Sequence, residues 1–204
     1  MSEQFNPMTK GGYNLYHVVS AFQKYVRRGM EHEAMYMGTE MLISGFHKYA
    51  WYRMRVIASE DVGLANPIAC VQVNALYQTF MDFQKDKREG AAQLVFCHAL
   101  ILLVRSPKSR VIDNQFCKYV DLRHMIHPVT IHDYCYDQFT DVGKRLGRGD
   151  QFFFDESAKL NNIPDDMYED EMKLHKELEQ MYQWKKEKKK VSLHNPNMNL
   201  FDQD

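Results

Sequence analysis

Three stretches carry residue types that could do chemistry. In RVIASEDVGLANP, Arg55 to Pro67, a Ser59-Glu60-Asp61 run sits between an apolar segment and a Gly-x-x-Asn-Pro. Paired carboxylates suggest acid–base work, but neighbouring side chains on a helix point in different directions, so Glu60 and Asp61 make a poor acid/base pair. A structural role suits the pattern better. Gly63 can end one helix in a left-handed conformation, Asn66 can cap the next, and Pro67 can occupy its first turn, where a missing N–H costs nothing. In HMIHPVTIHDYC, the residues His124, His127, His132 and Cys135 are of types that bind zinc. Pro128 interrupts that run and no second ligand pair lies at a familiar distance, so exposed or satisfied histidines are expected and no metal or cofactor is assigned. The third stretch, DVGKRLG (Asp141 to Gly147), holds the only Gly-Lys, yet the upstream glycine of a phosphate loop is absent and Arg145 stands where Ser/Thr would hold magnesium. No ATPase activity and no catalytic residue are assigned; an enzyme or a small-ligand-binding or sequestering protein using the His/Gly-rich residues 124–154 is the alternative reading.

Cations could instead bind. Lys144, Arg145 and Arg148 lie in a glycine-flexed loop, and Lys185, Lys186, Lys188, Lys189 and Lys190 cluster at a helix end. Both groups are candidates for nucleic-acid or anion contacts, although solvated turns and helix ends are the commoner explanation. Near the C-terminus, Asn197, Met198, Asn199, Leu200 and Phe201 place hydrophobic anchors in a polar tail, a form that docks into a partner's pocket. The segment resembles the bacterial sliding-clamp-binding peptide, Gln-Leu-Ser/Asp-Leu-Phe. Leu200 and Phe201 match that pattern, whereas Asn197 replaces its Gln.

These residues need a scaffold. The 204-residue chain has room for one sizeable core. Its 26 basic and 27 acidic residues give no overall bias toward nucleic acid. Four separated cysteines without a C-x-x-C, and no secretory signal, lead to an expectation of reduced thiols and a cytoplasmic location. The most apolar run, AAQLVFCHALILLV (Ala91 to Val104), is too short to cross a bilayer and reads as a central buried helix.

Helical periodicity runs from Tyr13 to about Val120. Val18, Ala21, Phe22 and Tyr25 share one face; HEAMYMGTEMLISG predicts a second helix closed by Gly45; FHKYAWYRMRVIA predicts a third. A fourth follows Pro67 and runs through Phe83, a fifth spans Glu89 to Arg105, and a sixth fits Lys108 to Val120. Strand-like alternation is absent, and the fold class is all-α, a helical bundle. Residues 1–12 read as a flexible lead-in, 13–120 as the main helical domain, 121–163 as a loop-rich extension packed on it, 164–190 as a charged amphipathic helix, and 191–204 as a disordered tail. On the helix of 164–190, Met167, Leu174, Leu178 and Met181 form a stripe that needs a partner.

The helical region resembles the C-terminal collar of the RarA/MgsA replication-associated recombination ATPases, relatives of clamp loaders. Tyr16, Val19-Ser20-Ala21-Phe22 and Lys24 match the family's Tyr-x-x-(Ile/Val)-Ser-Ala-x-x-Lys; Ala34, Tyr36 and Met41 match its second helix. Arg53 and Ala58-Ser59-Glu60-Asp61-Val62-Gly63-Leu64-Ala65-Asn66-Pro67 match its most recognisable segment, and Pro107-Lys108-Ser109 match the Pro-Lys-Ser after its long apolar helix. The likeness covers about Tyr13 to Val120 and fades beyond Asp121, with no ATPase module in the sequence. It implies a clamp-loader-type collar fold and a homo-oligomer, a tetramer in that family, acting at stalled replication forks. Met30, Met35, Met37 and Met41 read first as core packing, and as adaptable apolar surface compatible with assembly second. The expectation is a non-enzymatic replication and repair accessory protein that self-associates and recruits a sliding clamp or other replisome partner through its tail, with DNA contacts and no membrane role. A phage-like or mobile-element genome is a plausible home for such a module.

Overall fold

The computed structural model describes residues 7–194, with side chains through Glu187. Asn14 starts the first helix, α1 (Leu15–Arg27), by accepting the N–H groups of Tyr16 and His17 at 2.9 and 3.4 Å through its Oδ1. The three- and four-residue recurrence of Leu15, Val18, Phe22 and Val26 buries one face of α1. There follow α2 (Glu31–Ile43), α3 (His47–Ile57), α4 (Ala69–Lys85), α5 (Glu89–Arg105) and α6 (Val111–Phe116). Gly45 ends the α2 turn at φ +82°, which a side chain would resist. Among the described residues there is no β-sheet, only an isolated antiparallel bridge between Met8 and Asn14. The protein is all-α.

Trp51 on α3 anchors the core of this first unit, which extends to His127. Its ring meets Phe96 of α5 edge-on at 5.6 Å, and Tyr77 and Phe80 of α4 at 5.4 and 5.3 Å. The fifth helix spans the residues its sequence predicts and buries Ala92, Phe96, Ala99, Leu100, Leu103 and Val104. It is not buried all round, however: Leu94 and His98 are exposed. Gly38 lets α2 approach closely, since a Cβ there would lie 2.6 Å from Leu100 Cδ2 and 3.0 Å from Phe22 Cε2. Met41 is fully buried and Met35 and Met37 pack against the core, so for these three the core-packing reading holds over that of adaptable surface.

From Pro7 onward the segment read as a flexible lead-in is tied down. Thr9 and Tyr13 bond through their backbones at 2.8 Å, Gly12 closes back on Thr9, and the N–H groups of Lys10 and Gly11 reach Ser44 Oγ and Glu40 Oε1 on or next to α2. Two glycines had pointed to looseness; here they let the backbone turn tightly enough to present N–H donors to a buried carboxylate. The Thr9 hydroxyl and the Gly11 N–H hold the Glu40 carboxyl below its usual range. A lowered folded-state pKa means that Glu40 contributes stability above the ordinary carboxylate value and loses it as pH falls through the lowered one. Glu40→Gln should therefore flatten the acid limb of stability against pH, measured by urea unfolding between pH 3 and 7, and cost about 1–3 kcal/mol at neutral pH.

A second compact unit begins at Pro128. The division falls inside 121–163, the stretch read from sequence as one extension. The unit contains α7 (Asp141–Arg145), α8 (Asp150–Phe152), a π-helical turn over Phe153–Ser157, and α9 (Tyr168–His194). Phe154 is its apolar centre, with His175 and Tyr182 of α9 edge-on to it at 5.1 and 5.6 Å. The predicted stripe on α9 is thus not the face that packs here: Met167, Leu174, Leu178 and Met181 are all exposed. Thr140 caps α7 by accepting the Gly143 N–H at 3.0 Å. A Cβ at Gly143 would lie 1.7 Å from the Asp137 carbonyl oxygen and 2.7 Å from that of Tyr136. The glycine of Gly-Lys is there for backbone contact. Gly143→Ala should destabilise this unit by at least ~1–3 kcal/mol, with faster amide exchange across 133–157 while the α5 amides stay protected; an unchanged exchange pattern would contradict the packing.

Candidate functional site

Asp61 is fully buried in the π-helical turn Ala58–Val62 that continues α3. Its Oδ2 accepts Gln23 Nε2 at 3.1 Å and its Oδ1 accepts Arg27 Nε. Arg27 also donates to Glu60 Oε1 at 2.8 Å, so the adjacent acids converge on one guanidinium instead of diverging. The extra residue of a π turn shifts the angular phase of the side chains that follow it, which separates this geometry from that of two neighbours on a regular helix. The Asp61 hydrogen bond is the main cause that raises the Arg27 pKa, against the opposing effect of burial. The chain of contacts continues outward. Gln23 Oε1 accepts Arg53 Nη1 at 3.0 Å, and Arg110 reaches Glu60 at 3.5 Å and also bonds Asp113.

The two signature segments meet at this turn. The Asp61 carbonyl accepts the Ser109 N–H at 2.9 Å, and the Asn66 side chain donates to Ser106 Oγ at 3.0 Å. Gly63 adopts φ +48° and ψ −129°, and a Cβ there would sit 3.3 Å from the Ser109 carbonyl oxygen. Its positive φ is as expected, although its ψ is not that of a left-handed helical residue. Asn66 departs from its expected cap role: α4 begins at Ala69, Pro67 lies in the preceding turn, and the Asn66 amide is drawn across to Ser106. Ser59 Oγ lies 3.5 Å from Cys70 Sγ. Pro107 turns the chain so that Lys108 Nζ folds back on the Val104 and Ser106 carbonyls at the end of α5, the first at 2.9 Å. Burial pushes the Lys108 ammonium pKa down, partly opposed by Asp61. Arg27, Glu60, Asp61, Lys108 and Arg110 each face an intramolecular partner, which is the arrangement of a joint and not of a reacting pair.

The other candidates are dispersed. Arg148 grips Asp133 through both carboxylate oxygens at 2.6 and 2.7 Å, donates to the Asp133 and Tyr136 carbonyls at 2.8 Å, and stacks over Phe152. Lys186 pairs with Asp150 at 3.2 Å. Lys144, Arg145 and Lys185 are exposed, and the side chains of Lys188, Lys189 and Lys190 lie outside the described set. His124, His127, His132 and Cys135 are exposed, with His132 stacked on Tyr134 at 5.4 Å; among the described residues no cluster of three His, Cys, Asp or Glu is placed to hold a metal. Asn197 to Phe201 fall outside the described residues. Sequence reasoning missed Gln23, Arg27 and Arg110, and no local signal names them, because their partners lie 33 to 50 positions away.

A family model described as MgsA AAA+ ATPase C terminal matches residues 30–199. The chain belongs to this family. The match continues past Val120, where the likeness had been expected to fade, so the second unit lies within the family's span. A replication-associated recombination protein A of Haemophilus influenzae is 28% identical over 146 residues, 70% of this chain and 31% of the relative. An uncharacterized AAA domain-containing protein of Mycobacterium tuberculosis is 35% identical over 104 residues, 50% of this chain and 22% of the relative. The chain therefore spans less than a third of the length of either relative. Within this MgsA C-terminal domain, Asp61→Ala leaves Arg27 with Glu60 alone and the Gln23 amide without its acceptor, and should cost about 1–3 kcal/mol. The Arg27→Met/Asp61→Leu double variant should lose clearly less than the sum of the two single losses, measured by a double-mutant cycle in urea. Additive losses would mean that the pair is not coupled.

Proposed function

We propose that the chain is a non-catalytic assembly module of a replication-associated recombination machine, acting in the cytoplasm. The observation that carries this reading is the long helix α9. Leu174, Leu178 and Met181 stand at four- and three-residue steps and are exposed, as is Trp184 one turn on. That spacing is the seam by which one helix packs into another, and a second copy of the chain supplies the matching seam. The name of the Haemophilus relative supports the replication-associated context, and the resemblance to the RarA/MgsA collar supports a tetramer. No phosphate loop is present in these 204 residues, and we assign them no ATP hydrolysis.

On this reading Asn197 to Phe201 recruit a sliding clamp or another replisome protein, a role supported by the likeness of Leu200-Phe201 to the clamp-binding peptide. Lys144, Arg145 and Lys185, exposed at the surface, join Lys188, Lys189 and Lys190 in contacting nucleic-acid phosphates; Arg148 and Lys186 are engaged by Asp133 and Asp150. The mass measured by light scattering after gel filtration should be a multiple of 24.2 kDa that persists on dilution. Leu178→Asp should reduce it to the monomer with helix content unchanged. Removing residues 195–204 should leave the mass intact and abolish binding to a purified sliding clamp. A monomeric wild type at high concentration would refute self-association, and undiminished clamp binding would refute the role of the tail.

A further inference from the structure

The outward face of α1 carries polar and cationic side chains. Opposite its buried stripe, Tyr16, Ser20, Gln23, Lys24 and Arg27 line a groove of about 270 Å³ together with Arg53 of α3. Its charge balance can be drawn up from the contacts. Arg27 is held by Asp61 and Glu60, and Arg110 by Glu60 and Asp113, so every carboxylate near the groove already has a cation. Among the described residues, Lys24 and Arg53 are left without a carboxylate partner. Lys24 Nζ donates to Ser20 Oγ at 2.5 Å, which leaves the Ser20 hydroxyl hydrogen free to donate elsewhere. Arg53 gives Nη1 to Gln23 Oε1 at 3.0 Å, but its Nε–H is buried with no acceptor. A buried N–H of a guanidinium without a partner is costly, and such a group calls for an explanation.

We propose that this groove is a binding site for a phosphate group. The donors around it are an ammonium, a guanidinium, a serine hydroxyl and the exposed Tyr16 hydroxyl, on two helices. Four donors from separate positions suit a tetrahedral oxyanion with several acceptor oxygens, whereas a carboxylate has only two oxygens to offer. Gln23 sets the position of Arg53 and is itself held by Asp61, so the structural joint also orders the site. The phosphate comes either from a free diphosphate-bearing molecule or from a nucleic-acid backbone. The site does not depend on self-association, since its lining comes from α1 and α3 of one chain.

The test uses the full chain with pyrophosphate as the probe and 15N spectra as the readout. The expected result is a saturable shift of the Arg53 guanidinium N–H groups and of the Ser20 and Lys24 amides, with glutamate producing none. The binding should weaken at least tenfold in Lys24→Glu, whose exposed position leaves the fold intact, and in Ser20→Ala to a smaller degree. A short single-stranded oligonucleotide then separates the sources: displacement of pyrophosphate by it identifies a backbone phosphate, and no displacement identifies a free one. Unmoved Arg53 guanidinium signals at saturating pyrophosphate, equal binding by Lys24→Glu, or an equal response to glutamate would each overturn the proposal. Light scattering on Lys24→Glu keeps the two readings apart, since its mass should match that of the wild type.

Discussion

The buried carboxylate of Asp61 is the constraint around which the first unit is arranged. A charge withdrawn from water must be met by partners with good geometry, or the folded state loses several kcal/mol. Here Arg27 and Gln23 meet it from α1, while its own backbone carbonyl holds the linker after α5 through Ser109. One residue thereby ties together α1, the end of α3 and the entrance to α6. Neither side of that joint can shift in register without stranding a charge. Apolar packing around Trp51 supplies the non-directional attraction, and the Asp61 network selects which arrangement of the helices the attraction stabilises.

This also explains why the segment Ser59 to Pro67 can look like an active site. Acids, a serine, a glycine in an unusual conformation and a neighbouring lysine with a lowered pKa are all present, and perturbed groups do concentrate at functional sites. Structural ion networks perturb pKa values in the same way. What separates the two is whether any of the groups is left to react. Glu60 and Asp61 share a guanidinium, and Lys108 is closed down onto two carbonyls. Arg53 differs, because among the described residues its Nε–H has no hydrogen-bond acceptor.

The helices themselves were legible because their signals are local. Apolar spacing and flanking breakers placed α5 at Glu89–Arg105 without error, and the glycine after α2 marked its end. Interactions that cross the sequence were not legible. Nothing near Arg27 announces a partner at position 61, and nothing near Asn66 announces Ser106, so the amide expected at a helix cap appears in a tertiary bond instead. The turn of residues 7–14 was lost for a related reason: its glycines suggest looseness until Glu40, far along the chain, gives their N–H groups something to bond. The stripe on α9 was found, but periodicity says only that a face is apolar. It cannot say that His175 and Tyr182, off that stripe, would meet Phe154.

The two units solve the problem of a guanidinium in different ways, and the difference bears on what each surface can do. In the first, Arg27 is bound between carboxylates and holds a joint closed, while Arg53 a short distance away keeps a donor in reserve. In the second, Arg148 satisfies a carboxylate, two backbone carbonyls and an aromatic face at once, which makes it a structural post and takes it out of contention as a ligand contact. A count of basic residues would rank the KRLGRG loop above α1 as an anion site. Pairing discounts Arg148 within that count, since an ion already matched in charge and geometry must give up its partner before it can bind another, whereas the exposed Lys144 and Arg145 of the same loop need give up none.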